Sequence, residues 1–244
     1  MENTRPSIAV FGAGPGVGQA VAHRYGEAGY DVVLVARRRP RLDRLAEDLS
    51  TRGITAHVVT ADLARTDLVP ALAEQIRAKV GDPTVLYYGP GPVDPEFVSA
   101  LDLRPERLHE LMPITLDTLL ALVEEFLPAM IERGDGAILT AQGAAAVHGR
   151  PRMTGWPPLL AAQRNYLQSL AAEIADRGVY IGMLYIGARI IGTPTDARFR
   201  AARAAGQPVP DVPAADPREL AELLWSMHAG RRRRETVIPD GLTS

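Results

Sequence analysis

A glycine-rich loop near the start of the chain restricts its fold more than any other feature. The loop reads Gly12-Ala13-Gly14-Pro15-Gly16-Val17-Gly18 and lies between an apolar segment, Ser7–Gly12, and a segment of helical periodicity, Gly16–Gly29. Glycines in such a loop let the backbone turn tightly, approach an anion and pack a helix onto a strand. Free N–H groups at a helix N-terminus bind anions, so the pattern predicts a pyrophosphate site. A flexible turn is the alternative interpretation.

Short apolar segments alternate with amphipathic ones along the chain. The predicted strands are Ser7–Gly12, Asp31–Ala36, Ile54–Thr60, Thr84–Tyr88, Gly136–Ala141, Val179–Ile186 and Thr236–Pro239. The predicted helices are Gly16–Gly29, Pro40–Gly53, Leu68–Gly81, Pro105–Met112, Leu116–Arg133, Pro157–Gly178 and Pro217–Ala229. This order predicts an α/β, doubly wound parallel sheet of about seven strands with helices on both faces, a Rossmann fold.

Composition and segment pattern narrow the possible partners and compartments. Hydrophobic residues make up 46% of the chain, the net charge is -2 and cysteine is absent. These values predict a sizeable core and give no basis for a nucleic-acid or membrane partner. Without cysteines, disulfides and cysteine-based metal sites are excluded, and no other metal-ligand spacing is found. We expect a cytoplasmic protein with one domain, residues 1–244, and a mobile substrate lid at about 192–216.

The residues after the second predicted strand indicate which dinucleotide is bound. NAD-binding proteins usually place an Asp or Glu there, where it bonds the ribose 2′-OH. In this chain Ala36 is followed by Arg37, Arg38 and Arg39. Guanidinium groups suit a 2′-phosphate, so NADP(H) is predicted over NAD(H), with Arg37 and Arg38 as ligands. Arg39 and Arg41 are predicted to belong to a solvated basic turn.

These motifs resemble those of the short-chain dehydrogenase/reductase family over nearly the whole chain. The family's glycine loop corresponds to Phe11–Gly18, and its Asp-Leu after the third strand to Asp62-Leu63, where the carboxylate can bond adenine or cap a helix. Its Pro-x-Met helix corresponds to Leu127–Met130, followed by Gly134–Leu139. Together the loop and the resemblance imply a set of cofactor-binding residues, which are Gly12, Gly14, Pro15, Gly16, Val17, Gly18, Arg37, Arg38, Asp62, Leu63 and Gly89.

The resemblance fails at the residues on which the family's chemistry depends. The family uses a Ser at the end of the fifth strand, a Tyr and a Lys at the start of the next helix, and an Asn in the preceding helix. The corresponding positions here are Gly143, Trp156, Leu160 and Thr115. An indole N–H is only a donor, and a leucine carries no charge to depress a neighbouring pKa. The resemblance therefore implies a divergent member without the Ser-Tyr-Lys residues.

Three residues are candidates to replace the missing proton chemistry. Gln142 can bond a substrate oxygen, or it can bond backbone as a strand-end residue. His148 follows the fifth strand, and histidine titrates near neutrality, although an isolated surface histidine is usually inert. Tyr88 ends the fourth strand and is either an acid or a packing aromatic. On the helix after Trp156, Gln163 can also reach the cleft.

Three functions follow from this combination. The first is an NADP(H)-dependent oxidoreductase with an altered proton relay, which reduces a small organic carbonyl, imine or enone. The second is a non-redox isomerase or cyclase that reuses the pocket, and the third is a catalytically silent NADP(H)-binding protein. The expected partner is a small-molecule substrate. The resemblance also implies a homodimer or homotetramer, since the family pairs the helices found here at Leu116–Arg133 and Pro157–Gly178.

Overall fold

Strands and helices alternate from the first described segment to the last. A computed structural model describes residues 5–91 and 97–239. The strands are β1 (Ser7–Phe11), β2 (Asp31–Ala36), β3 (Ala56–Thr60), β4 (Val85–Tyr88), β5 (Gly136–Gly143), β6 (Val179–Ile186), β7 (Arg189–Ile190), β8 (Ala214–Ala215) and β9 (Glu235–Ile238). The helices are α1 (Val17–Glu27), α2 (Arg39–Thr51), α3 (Val69–Val80), α4 (Pro105–Met112), α5 (Thr118–Arg133), α6 (Pro157–Glu173), α7 (Pro194–Ala204) and α8 (Pro217–Gly230).

The central sheet has seven strands in the order β3-β2-β1-β4-β5-β6-β9, and every neighbouring pair is parallel. The chain adds strands in one direction from β1 to β3 and then in the other direction from β4 onward. In sheets of this kind, ligands bind in the crevice at the carboxyl ends of the strands where the direction reverses. The predicted Rossmann fold is confirmed, and the reversal lies between β1 and β4.

Two apolar layers cover the sheet. One layer packs α3, α5 and α6 against it, and the other packs α1, α2 and α8. Side chains alternate between the layers, so that on β5 Ile138 belongs to the first and Leu139 to the second. Each fully buried aliphatic side chain contributes about 1.5–3 kcal/mol relative to an exposed one. Packing on both faces therefore fixes where each strand ends, which is where the site residues lie.

The sequence predicts the regular elements closely but misses the segment after β6. Asp31–Ala36, Pro105–Met112 and Val179–Ile186 have the predicted bounds, whereas the predicted helix Pro157–Gly178 ends at Glu173. Helix α7 and the small β7–β8 sheet lie within and beside the segment for which only a lid was predicted. A π-helical turn, Pro113–Asp117, also joins α4 to α5 directly, where two separate helices were predicted.

A buried carboxylate anchors α7. Asp196 is 2% exposed and forms ion pairs with Arg189, on β7, and Arg200. The Gly192 N–H donates to the Asp196 carboxylate at 3.1 Å, and the Thr193 hydroxyl accepts from the Asp196 N–H as the helix cap. These contacts attach the start of α7 to the strand that precedes it. The helix is otherwise largely exposed.

A buried hydrogen bond and an aromatic cluster join α1 to α8. The Tyr25 hydroxyl and His228 Nδ1 are 3.0 Å apart, and the rings of Tyr30 and Trp225 pack edge-on against Tyr25. His228 is 7% exposed. Burial, with a smaller contribution from Arg231, lowers the pKa of His228 to about 4. The imidazole is thus neutral at pH 7 in the folded chain.

This buried histidine predicts a loss of stability in mild acid. Its folded pKa lies below the unfolded value of 6.5, so the unfolded chain binds more protons between these values. Its contribution is full above pH 6.5 and falls as the pH drops toward 4, by up to about 3 kcal/mol. Urea unfolding from pH 7 to 4.5 should show this slope in the wild type and a shallower one in His228→Gln. Tyr25→Phe should keep the slope, because burial is its main cause. A slope unchanged by His228→Gln would contradict the assignment.

Candidate functional site

A cleft of about 430 Å³ opens at the carboxyl ends of β1, β2 and β4, at the reversal of the sheet. Its walls combine backbone of the glycine loop, guanidinium groups and small apolar side chains. The lining residues are Gly12, Ala13, Gly14, Pro15, Ala36, Arg37, Arg38, Arg41, Leu42, Ala61, Leu63, Gly89, Pro90, Gly91, Ile114, Pro194 and Thr195. A ligand in this cleft meets a basic wall, a backbone loop and an apolar slot.

The glycine loop forms the floor of the cleft by backbone packing. Gly12 has φ of +90°, and a Cβ there would lie 2.8 Å from the backbone nitrogen of Pro90. At Gly18, a Cβ would run into the carbonyl oxygen of Gly12. Apart from Gly14 and its chain neighbours, no atom of the described residues lies within 4 Å of the position a Cβ would take at Gly14, so this side of the loop is open among them. The loop is thus closely packed against backbone at Gly12 and Gly18 and open at Gly14. Such an arrangement lets an anion approach the backbone closely.

The predicted loop residues divide into two groups. Gly12, Gly14 and Pro15 line the cleft. Val17 is buried in the apolar layer below α1. Gly16 lies against α7's capping residue, since a Cβ there would be 2.9 Å from Thr193 Cγ2. Val17 and Gly16 do not line the cleft, and they support the loop and the start of α1 from its other side.

Three arginines form one wall of the cleft. Arg37, Arg38 and Arg41 line it, whereas the Arg39 guanidinium pairs with Asp43 at 2.9 Å. Among the described residues that line the cleft, none is acidic. Arg41, predicted to belong to a solvated turn, lines the cleft, because the first turn of α2 carries it back toward the glycine loop.

The third-strand motif splits into two roles. Leu63 lines the cleft beside Ala61. The Asp62 side chain is exposed, and its Oδ1 accepts a hydrogen bond from the Ala64 N–H at 3.1 Å. Asp62 therefore closes the turn after β3 through its own side chain and does not cap the helical turn Thr66–Leu68. Ala61 and Leu63 form an apolar slot that suits a flat ring.

The positions aligned with the family's Asn and Tyr bond to each other. Trp156 Nε1 donates to Thr115 Oγ1 at 3.0 Å, and the Thr115 hydroxyl donates to the Leu111 carbonyl at 2.7 Å. Gln163 Nε2 donates to the Thr115 carbonyl, and both residues are almost fully buried. Thr115 lies in the π-helical turn, and such turns are frequent at functional sites. The sequence allowed Gln163 to reach the cleft, but its side-chain amide is buried against the Thr115 carbonyl.

The indole of Trp156 lies beside the cleft wall. A Cβ at Gly91, a cleft residue, would be 2.7 Å from Trp156 Cη2. Leu160 is 3% exposed and belongs to the core. Among the described residues beyond its chain neighbours, a Cβ at Gly143 would meet only Leu160 Cδ1, at 3.9 Å, so the Ser-aligned position has open space within that part of the chain. At the positions where the family has Tyr, Lys and Ser, this chain thus has an indole, an apolar side chain and a glycine.

The three candidate replacements have different environments. The Tyr88 hydroxyl donates to the Ile114 carbonyl at 2.6 Å, and burial raises the pKa of Tyr88 above its usual range. Tyr88 is therefore a packing residue with a committed hydroxyl. Gln142 is 6% exposed, and its amide has no hydrogen-bond partner among the described residues. His148 is exposed. None of the three lines the cleft.

No group of three or more His, Cys, Asp or Glu side chains in ranges 5–91 and 97–239 is arranged to hold a metal ion. Within the same ranges, no helix combines the length and apolar character needed to cross a membrane.

The family model for short chain dehydrogenases matches residues 6–204. The chain belongs to this family. It is 30% identical over 197 residues to a short chain dehydrogenase of Pseudocercospora fijiensis, covering 77% of this chain and 62% of the relative. It is also 30% identical to the 1-deoxy-11-beta-hydroxypentalenate dehydrogenase of Streptomyces exfoliatus, covering 91% of this chain and 78% of that one.

A solved short-chain structure shows the same fold. The NADPH-bound short chain oxidoreductase of Pseudomonas aeruginosa PAO1, which contains an atypical catalytic center, superimposes with a TM-score of 0.82. The two chains are 23% identical, and the match covers 97% of this chain and 96% of that one. The chain spans only 55% to 62% of the length of the first curated relatives it matches.

The bond between Trp156 and Thr115 predicts the effect of removing one hydroxyl. Thr115→Val keeps the volume but removes the acceptor for the indole N–H and the donor to Leu111. We expect a destabilisation of about 1–3 kcal/mol, since buried polar groups lose their partners. Urea unfolding and Trp156 emission, measured in a Trp225→Phe background, should report the loss and a changed indole environment. The exposed Thr55→Val is the control, and equal effects of both variants would refute the bond.

Proposed function

We propose that this short-chain dehydrogenase binds NADP(H) and is an oxidoreductase with a non-standard active site, which reduces a small organic carbonyl, imine or enone. The supporting observation is the cleft itself. It combines the Gly12–Pro15 backbone with three arginines, and no carboxylate is found among its described lining residues. Guanidinium groups bind phosphate through two parallel hydrogen bonds, so a 2′-phosphate stabilises the complex.

The order of the strands gives the ligand a direction. Arg37 and Arg38 follow β2, the glycine loop follows β1, and Gly89–Gly91 follow β4. A 2′-phosphoadenosine at β2 and a pyrophosphate at β1 direct the nicotinamide toward β4 and β5. When bound there, NADPH supplies the hydride, and the protein holds the reacting ring and the substrate. Gly143, with its open surroundings, lies at the end of β5 on this path.

We further propose that this is a divergent member of the family in which Gly143, Trp156 and Leu160 stand in place of Ser, Tyr and Lys. With the Trp156 N–H bonded to Thr115 and the Tyr88 hydroxyl bonded to a carbonyl, these two groups have no free proton to deliver. Water or a substrate group then delivers the proton that follows hydride transfer. The single-domain organisation, the lid at 192–216, the homo-oligomer and the cytoplasmic location stay predictions.

A second candidate function is a catalytically silent NADP(H)-binding protein. The hydrogen bonds among Trp156, Thr115 and Gln163 favour it, because they satisfy polar groups inside the protein. Gln142 supports the same interpretation, since it is buried and does not line the cleft. The two candidates share the cofactor cleft and differ only in turnover.

The arginine wall predicts cofactor choice. Arg37→Ala and Arg38→Ala should each weaken NADPH binding roughly 10- to 100-fold, because each removes charge-assisted hydrogen bonds worth about 1.5–3 kcal/mol. NADH binding should change little. Arg39→Ala is the matched control, since Arg39 pairs with Asp43 in the same segment. Fluorescence titration of both cofactors measures the ratio. A wild type that prefers NADH, or variants that bind NADPH as the wild type does, would refute the proposal.

Turnover is tested with NADPH that carries deuterium at the transferred position. Incubation with a panel of carbonyls, imines and enones, followed by mass spectrometry, should show deuterium in a product if the chain is an oxidoreductase. Tight NADPH binding without transfer to any of them would support the silent binder. Arg37→Ala serves as the control, because transfer by this variant should require more NADPH.

A further inference from the structure

A second recess, of about 440 Å³, lies between the glycine loop and the helices α1 and α2. Arg41 lines both this recess and the cleft. Arg44 lines the recess but not the cleft, whereas Arg37 and Arg38 line the cleft but not the recess. The recess therefore meets the cleft at Arg41 and has a guanidinium of its own. Its lining residues are Ala13, Gly14, Pro15, Gln19, Arg41, Arg44, Leu45 and Asp48.

The two guanidinium groups of the recess form no ion pair with a carboxylate of the described residues. Arg41 and Arg44 lie three residues apart on α2, so their side chains are neighbours on one face of the helix. Two other arginines of the same segment are paired, since Arg39 lies 2.9 Å from Asp43 and Arg52 lies 3.5 Å from Glu27. Arg41 and Arg44 are thus exposed cations that can bind an anion from solution.

The acidic residue of the recess is bonded to other groups. Asp48 Oδ2 lies 3.1 Å from His23 Nε2 and 4.0 Å from Arg52 Nε. Burial is the main cause that lowers the pKa of His23, so its imidazole is neutral at pH 7 and donates to the carboxylate. The charge of Asp48 is therefore balanced by Arg52, and Asp48 is not an ion-pair partner of Arg41 or Arg44.

A phosphate group fits this set of donors. A guanidinium binds phosphate oxygens through two parallel hydrogen bonds, and two adjacent guanidinium groups can bond different oxygens of one dianion. The Gln19 side chain is exposed at the recess and has amide N–H groups for a further oxygen. Three oxygens of a phosphate monoester therefore have three side chains as donors.

We propose that the recess is a second anion site, which binds the phosphate group of a phosphate monoester through Arg41 and Arg44. The inference goes beyond the proposed function, because the site needs no NADP(H). Since Arg41 lines both spaces, a phosphate in the recess competes for its guanidinium with a 2′-phosphate in the cleft and repels that dianion. An occupied recess therefore weakens the binding of NADPH more than that of NADH, which has no 2′-phosphate.

Inorganic phosphate is the probe, titrated by calorimetry at an ionic strength that chloride keeps constant. The wild type should bind phosphate, and Arg44→Ala should weaken this binding roughly tenfold, because one guanidinium is lost. Arg44→Lys should weaken it less, since lysine keeps the charge without the paired donors. Arg39→Ala is the matched control on the same helix and should bind phosphate as the wild type does.

Two results of this titration would overturn the site. One is a wild type that binds no phosphate under these conditions. The other is phosphate binding that Arg37→Ala abolishes and Arg44→Ala leaves unchanged, because the ion would then lie in the cofactor cleft.

The coupling is tested by titrating NADPH and NADH in chloride and in saturating phosphate. Phosphate should raise the NADPH dissociation constant roughly 3- to 10-fold more in the wild type than in Arg44→Ala. In chloride the two proteins should bind NADPH alike, because Arg44 does not line the cleft. An equal effect of phosphate on both proteins would refute the coupling through Arg41. A wild type that binds phosphate but not NADPH would overturn the proposed function and leave the second site standing.

Discussion

Backbone packed on backbone fixes the cleft. The ends of β1 and β4, the two strands on either side of the sheet's reversal, meet where Gly12 passes Pro90 with no room for a side chain between them. Gly18 packs in the same way against the carbonyl of Gly12, where a Cβ would also have no room. The floor of the cleft is therefore made of main chain. Its shape depends on a few positions without a Cβ and not on the identity of the surrounding side chains.

This division explains how one half of a short-chain dehydrogenase can match its family while the other differs. Anion binding by the loop needs only backbone N–H groups and the correct turn. Proton relay needs particular side chains at particular distances. At two of the aligned positions the chain has Thr115 and Trp156, which bond to each other, and Gln163 bonds to the Thr115 carbonyl, so that these groups are paired within the protein. Such networks stabilise one arrangement when every member is paired.

Local patterns predicted most of the fold. The strand Asp31–Ala36 has its predicted bounds because its apolar run ends at polar arginines, and the glycine loop marks the first turn regardless of the rest of the chain. Helix α7 was missed because its Ala, Pro and Arg composition is compatible with a loop. The contact that anchors it, Asp196 with Arg189, is not visible as a periodicity.

The sequence predicted site residues only where their position depends on a single strand, helix or loop. Arg37 and Arg38 follow directly from the end of β2. The position of Arg41 depends on how α2 is rotated about its axis, which the sequence of the turn does not reveal. The bond from the Tyr88 hydroxyl to the Ile114 carbonyl joins a strand to a helix and required the packing of both. The chemistry of the site depends on contacts between elements that are distant in the sequence. A single sequence does not reveal such contacts.

The position of α7 links the loop to the segment proposed as a lid. Thr193, which caps α7, lies so close to Gly16 that a Cβ there would be 2.9 Å from its methyl group. Pro194 and Thr195 then line the same cleft as Gly12 and Gly14. Asp196 attaches the start of α7 to β7 through its ion pair with Arg189. The segment therefore contacts β7 on one side and the glycine loop on the other. The glycine loop and the first turn of α7 therefore belong to the same cleft, and a ligand that fills it meets both.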